Sequence, residues 1–150
     1  MLTKRGWDAI VSIVSAVIAI ALVFLFPPPT TARMVIALAA IGLFALGYAL
    51  IGRGAVEQPS AAWRYPAFLS VAAVATGIGA GAAPFMAMLQ TLAYPLVWVI
   101  GDSRKRGVGG SAVIAGSVFV GASFGYGPNV ESLLAGATTA VFSLSFAIAI

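Results

Sequence analysis

Residues able to do chemistry are scarce in this 150-residue chain. There is no cysteine and no histidine, which removes disulfides, thiolate metal sites and imidazole acid–base catalysis. The four acids, Asp8, Glu57, Asp102 and Glu131, lie far apart at the edges of apolar runs, so no nucleophile, base and orienting third group can be assembled from them. Arg106 is followed by Gly-Val-Gly-Gly-Ser. A phosphate-cradling loop would need a Lys and a Ser or Thr after its glycines, between a strand and a helix at an aqueous surface. Here the glycines simply open an apolar run. What remains is hydrogen bonding and backbone geometry, and both concentrate in QTLAYPLVW, residues 90–98. Gln90 is the most polar side chain of its run, and Tyr94 and Trp98 each join an apolar ring to a polar tip. Pro95 lacks an amide donor and collides, in a helix, with the carbonyl of Thr91, which predicts a kink there. Gln90, Tyr94, Pro95 and Trp98 are therefore the candidates for a hinge and for relay of a conformational shift.

The elements that must position them are membrane helices. Apolar residues make up 61% of the chain and charged residues 8%, against about 45–50% and 25% in soluble domains. A hydrocarbon core about 30 Å thick is crossed by roughly 17–25 apolar residues in a helix. Six runs meet that length, over residues 9–26, 34–51, 66–83, 84–100, 108–124 and 131–150. Pro27, Pro28 and Pro29 stop the first, and Gly52 is expected to end the second. The first is too long for a secretory signal, whose apolar core has about 7–15 residues before a small-residue cleavage site. The last run is still apolar at Ile150, so the chain is expected to be cut inside a membrane helix. The expected fold is an all-α integral membrane protein, one domain over residues 1–150, built as a bundle of six transmembrane helices with the sixth cut short.

Charge placement orients the bundle. With the N-terminus cytoplasmic, successive loops alternate sides, and Lys4, Arg5, Arg53, Arg64, Arg104, Lys105 and Arg106 all fall inside, with Arg33 alone outside. This is the positive-inside pattern, and the seven inner cations are read as cytoplasmic membrane anchors. Arg104, Lys105 and Arg106 directly follow the fourth run and can reach an anionic leaflet. Trp7, Trp63, Tyr65 and Trp98 suit the headgroup belt. Because the cations are scattered between apolar runs, nucleic acid is not an expected partner; the lipid bilayer is.

No run carries an ionisable residue in its middle, which disfavours proton-coupled pumps and carriers of charged substrates. Small residues recur at fourfold spacing instead: Ala73, Gly77 and Gly81 in the third run, and Ser117, Gly121 and Gly125 in the fifth. Such ridges let helix backbones approach closely. Ser70, Thr76, Gln90, Thr91 and Ser117 are expected to hydrogen-bond across helices. The segment GYGPNVE, residues 125–131, has turn chemistry, with Asn129 as a helix cap and Glu131 suited to a helix start.

The short helix pair joined near Pro84, the run PFMAMLQTLAYPLVWVI, the basic loop after it and the glycine-rich fifth helix together resemble the membrane sensor domain of actinobacterial two-component sensor histidine kinases of the DesK-like, NarL-partner type. The segment VFSLSFAIAI resembles the helix that leads into the cytoplasmic signalling helix of such kinases. The resemblance implies a bacterial plasma membrane protein, a homodimer, and a cytoplasmic kinase core, not contained in these 150 residues, that would use ATP and Mg and act on a response regulator. No cofactor is expected on this chain itself, which lacks the phosphoacceptor histidine. The alternative is a small membrane protein serving as an accessory subunit of a transporter, to which the same ridges and the same charge-free spans are suited.

Overall fold

The computed structural model describes residues 3–57 and 62–127, together with residues 134, 137, 138, 141 and 145. Every regular element among the described residues is helical. Helix α1 (Lys4–Phe24) begins before its apolar run because the Thr3 hydroxyl accepts from the Gly6 amide at 3.4 Å, a side-chain cap on otherwise orphaned donors. Its buried positions, Trp7, Val11, Ser15, Ile18 and Leu22, recur every three or four residues, the period of one helix face.

Helix α2 (Thr31–Gly47) is capped in the same way, with the Thr30 hydroxyl accepting from the Arg33 amide at 3.2 Å. It does not end at Gly52. One π-helical turn, Tyr48–Gly52, leads directly into α3 (Arg53–Glu57), and a continuous helical stretch covers Thr31–Val56. The expectation failed because Gly52 keeps an ordinary right-handed helical backbone and is small for packing. A side-chain carbon there would fall 3.0 Å from the Tyr48 ring and 3.1 Å from the Phe68 ring.

Helix α4 (Arg64–Ala82) is followed by one extended residue, Ala83, and a 3-10 segment, Pro84–Leu89, which passes into α5 (Gln90–Gly101). Asp102 then takes the left-handed conformation with φ 50°, a position that Asp tolerates better than most residues. Ser103 caps α6 (Arg104–Tyr126), accepting from the Arg106 amide at 3.3 Å, and Gly127 with φ 77° closes that helix.

Helix α4 is the centre of the bundle, with its largest interfaces against α6 and α2. The contacts fix the directions. Residues 40, 47 and 52 meet residues 79, 71 and 68, so α2 and α4 are antiparallel. Residues 65, 77 and 81 meet residues 110, 117–121 and 121–125, so α4 and α6 run parallel. The core between them is built from Phe44, Phe68, Met86, Leu96 and Ile114, with Phe44 and Phe68 edge to face at 6.1 Å.

Five helical stretches among the described residues, Lys4–Phe24, Thr31–Val56, Arg64–Ala82, Pro84–Gly101 and Arg104–Tyr126, are long and apolar enough to cross a membrane. The sixth expected span, residues 131–150, and the turn at 128–131 lie outside the described residues apart from the few positions named above. The outer surface is itself apolar: Phe24, Leu50 and Phe124 are 76%, 78% and 87% exposed. A soluble monomer rarely displays such a continuous apolar exterior, and the bundle is compatible with a multi-pass membrane protein.

Candidate functional site

Helix α5 is where the four relay candidates fall, and the structure separates their environments. Gln90 is buried, and its side-chain carbonyl accepts from the Tyr94 hydroxyl one turn later. The pair is therefore a link along one helix. Pro95 is exposed on the outer side of α5 while its neighbours Leu96 and Val97 are fully buried. Helix α5 is continuous through Pro95, and the change of helical geometry sits one turn earlier, where the 3-10 segment gives way to α-helix at Gln90. Trp98 is half-buried and donates from Nε1 to the Ser111 hydroxyl of α6 at 3.1 Å, and its ring fills the space a side chain at Gly107 would need. Trp98 thus joins α5 to α6 besides lying near a helix end.

The two small-residue ridges meet each other. A side-chain carbon at Gly121 would collide with the Gly77 carbonyl, and one at Gly125 with the Gly81 carbonyl. Ser117 lies against Gly77, and its hydroxyl is 3.1 Å from that of Thr76. Thr76 also reaches the Ala72 carbonyl at 2.8 Å and Ser117 the Ile114 carbonyl at 2.8 Å, so one hydroxyl donates across the interface while the other keeps its own helix carbonyl. Ala73 lies on the same side, and the outward face of this contact is an apolar groove of about 550 Å³ that it lines with Val74, Ile78, Val120 and Phe124. Ser70 and Thr91 depart from the cross-helix expectation: among the described residues their hydroxyls reach carbonyls one turn back along the chain, Pro66 at 2.9 Å and, in the 3-10 segment, Met88 at 2.7 Å, because each faces outward.

The seven cations expected on the cytoplasmic side lie at one end of the bundle. Arg53 pairs with Asp8 at 3.0 Å, joining the π-turn region to the start of α1. Arg64 donates to the Gly54 carbonyl, and Arg106 both lies 5.7 Å over the Tyr65 ring and accepts from its hydroxyl at the main-chain carbonyl. Lys4, Arg5, Arg104 and Lys105 stand in the first turns of α1 and α6 at this same end. Arg33 is at the opposite end, where it donates to the Gly125 carbonyl at 2.7 Å and lies 5.1 Å over the Tyr126 ring. Trp7 departs from the headgroup-belt expectation. It is 7% exposed and belongs to the core, because it occupies the same face of α1 as Val11 and Ile18.

Sequence reasoning missed the cluster of Asp8, Tyr48 and Arg53. The Tyr48 hydroxyl donates to one carboxylate oxygen of Asp8 at 3.0 Å and Arg53 Nε to the other at 3.1 Å. Forty residues separate the partners, and no short-range spacing signals them. Ser111 was missed for the same reason, since its partner Trp98 lies across a helix boundary. Among the described residues no three acids approach closely enough to hold a metal ion. Compared with known proteins, the chain matches no family model, no curated protein and no solved structure.

Proposed function

We propose that this chain is the membrane-embedded input domain of a two-component sensor histidine kinase, seated in a bacterial cell membrane with its N-terminus cytoplasmic. The bundle exchanges between two helix arrangements, and a membrane or envelope signal that favours one of them shifts a cytoplasmic kinase core encoded beyond Ile150. Such a signal acts only through its different affinity for the two arrangements. The observation that carries this reading is the junction at Gln90, where a six-residue 3-10 segment passes into α-helix one turn before Pro95. The segment opens the stretch Pro84–Gly101 and, at six residues, is longer than the three or four over which 3-10 geometry is usually kept, so its change to α-helix at Gln90 is a place where the stretch can bend. The connections fit a signal that arrives through the bilayer: residues 25–30 join α1 to α2, and Ala83 alone separates α4 from the 3-10 segment. On this reading ATP, Mg and the response regulator engage the kinase core, and homodimerisation brings two cores together.

The first test is to read the genomic frame past the codon for Ile150. The expected outcome is an open frame entering a charged helix with a phosphoacceptor histidine. An immediate stop would sink the kinase reading and favour the accessory-subunit alternative. With an open frame, the full-length kinase in vesicles should change its autophosphorylation rate severalfold on Pro95→Ala or Gln90→Leu. Unchanged rates in both variants would remove the hinge.

A further inference from the structure

The cations at the inner end of the bundle are not equivalent. Arg53, Arg64 and Arg106 are engaged with Asp8, the Gly54 carbonyl and the Tyr65 ring respectively. Arg5, Arg104 and Lys105 are exposed and make no hydrogen bond, ion pair or ring contact with any described residue. Their positions make this costly for the chain alone. Arg5 stands in the first turn of α1, Arg104 and Lys105 in the first turn of α6, and neither turn holds an acid. A helix start carries partial positive charge, so a cation there is repelled by its own helix unless an anion comes to it. Of the nearby acids, Asp8 is occupied by Arg53 and Tyr48, and Asp102, exposed just ahead of the Ser103 cap, makes no ion pair with a described residue. Trp63, 60% exposed at the same end with Arg64 5.8 Å from its ring, has the amphipathic ring that settles at headgroup depth.

We propose that Arg5, Arg104 and Lys105 form a collar that binds the headgroups of anionic lipids, while Arg53, Arg64 and Arg106 hold helices to one another. The proposal rests on the membrane reading and divides one row of basic residues into two tasks. Each lipid-facing cation near an anionic surface contributes a factor of about five in affinity, so removing all three costs on the order of 100-fold. Because the three are repelled by their own helices, their removal leaves the bundle at least as stable in neutral detergent.

The full chain in neutral detergent is titrated with short-chain phosphatidylglycerol, or with phosphatidylcholine as the control, and the thermal unfolding midpoint is followed. The expected result is a rise in midpoint with phosphatidylglycerol only, with half-saturation weakened on the order of 100-fold in the variant R5Q/R104Q/K105Q. Arg64→Gln should lower the midpoint before any lipid is added and keep the phosphatidylglycerol response. A triple variant that responds like the parent chain overturns the proposal. So does inorganic phosphate reproducing the shift, which would make the collar a site for a soluble anion. Failure of the membrane reading looks different: the chain would leave phosphatidylcholine vesicles and phosphatidylglycerol vesicles alike in an alkaline carbonate wash.

Discussion

Two single hydroxyls show how differently a polar atom fares inside this bundle. The Thr76 hydroxyl has its own helix carbonyl and the Ser117 hydroxyl within reach, whereas the Ser15 hydroxyl is buried on α1 with no hydrogen-bond partner among the described residues. A buried polar group left unsatisfied costs about 1–3 kcal/mol. Ser15→Ala is therefore expected to stabilise the bundle by about 1 kcal/mol, measured as a higher midpoint in denaturant titration in detergent; a lower midpoint would refute the assignment. Trp98→Phe keeps most of the ring against Gly107 and loses only the bond to Ser111. Bonds of this kind between membrane helices contribute about 0.6 kcal/mol, so the same titration should register a loss near that size, and Ser111→Ala should not add to it in the double variant. At this scale the chemical types were legible in the sequence, since Gln90, Trp98, Thr76 and Ser117 stand out as the polar members of apolar runs. Their partners were not: Gln90 was expected to bond across helices, and its side-chain carbonyl instead accepts from Tyr94, four residues on along the same helix face.

The element that organises the others is α4, and its parallel contact with α6 depends on residues without side chains. Gly77 and Gly81 meet Gly121 and Gly125 backbone to backbone, so a branched side chain there has no flexible neighbour to displace. Gly121→Ile is expected to destabilise by about 3 kcal/mol or more, at the upper end of overpacking effects. Gly116→Ala, where nothing stands within 4 Å, should shift stability by less than about 0.5 kcal/mol. Equal losses in both variants, read by unfolding in mixed detergent, would show that helix propensity and not the ridge contact is being measured. Both ridges were readable from their fourfold spacing, but not that they face each other, because spacing says which residues share a face and nothing about what that face meets. The helix end expected at Gly52 failed for a related reason: glycine ends helices, and it also clears room for aromatic rings, here those of Tyr48 and Phe68.

For the whole molecule the sharpest expectation concerns sidedness. The chain has no cysteine, so single-cysteine variants report one position each. In intact cells, Lys105→Cys should resist a membrane-impermeant maleimide and Pro29→Cys should react, because residues 29 and 105 lie at opposite ends of the bundle; the reverse pattern would invert the proposed orientation. Sequence alone determined the all-helical class, five of the six expected apolar helices, though not the end of the second, and the gathering of seven cations at one end, because the thickness of a hydrocarbon core sets the length of a helix able to cross it and alternation sets sides. It could not determine which helices touch. Lipid and a neighbouring helix are both apolar, so an amino acid's polarity does not tell a lipid-facing position from a packed one. Only the tertiary structure decided that α4 and α6 lie parallel, that Trp7 faces inward, and that Asp8 takes Arg53 while leaving Arg5, Arg104 and Lys105 to face outward.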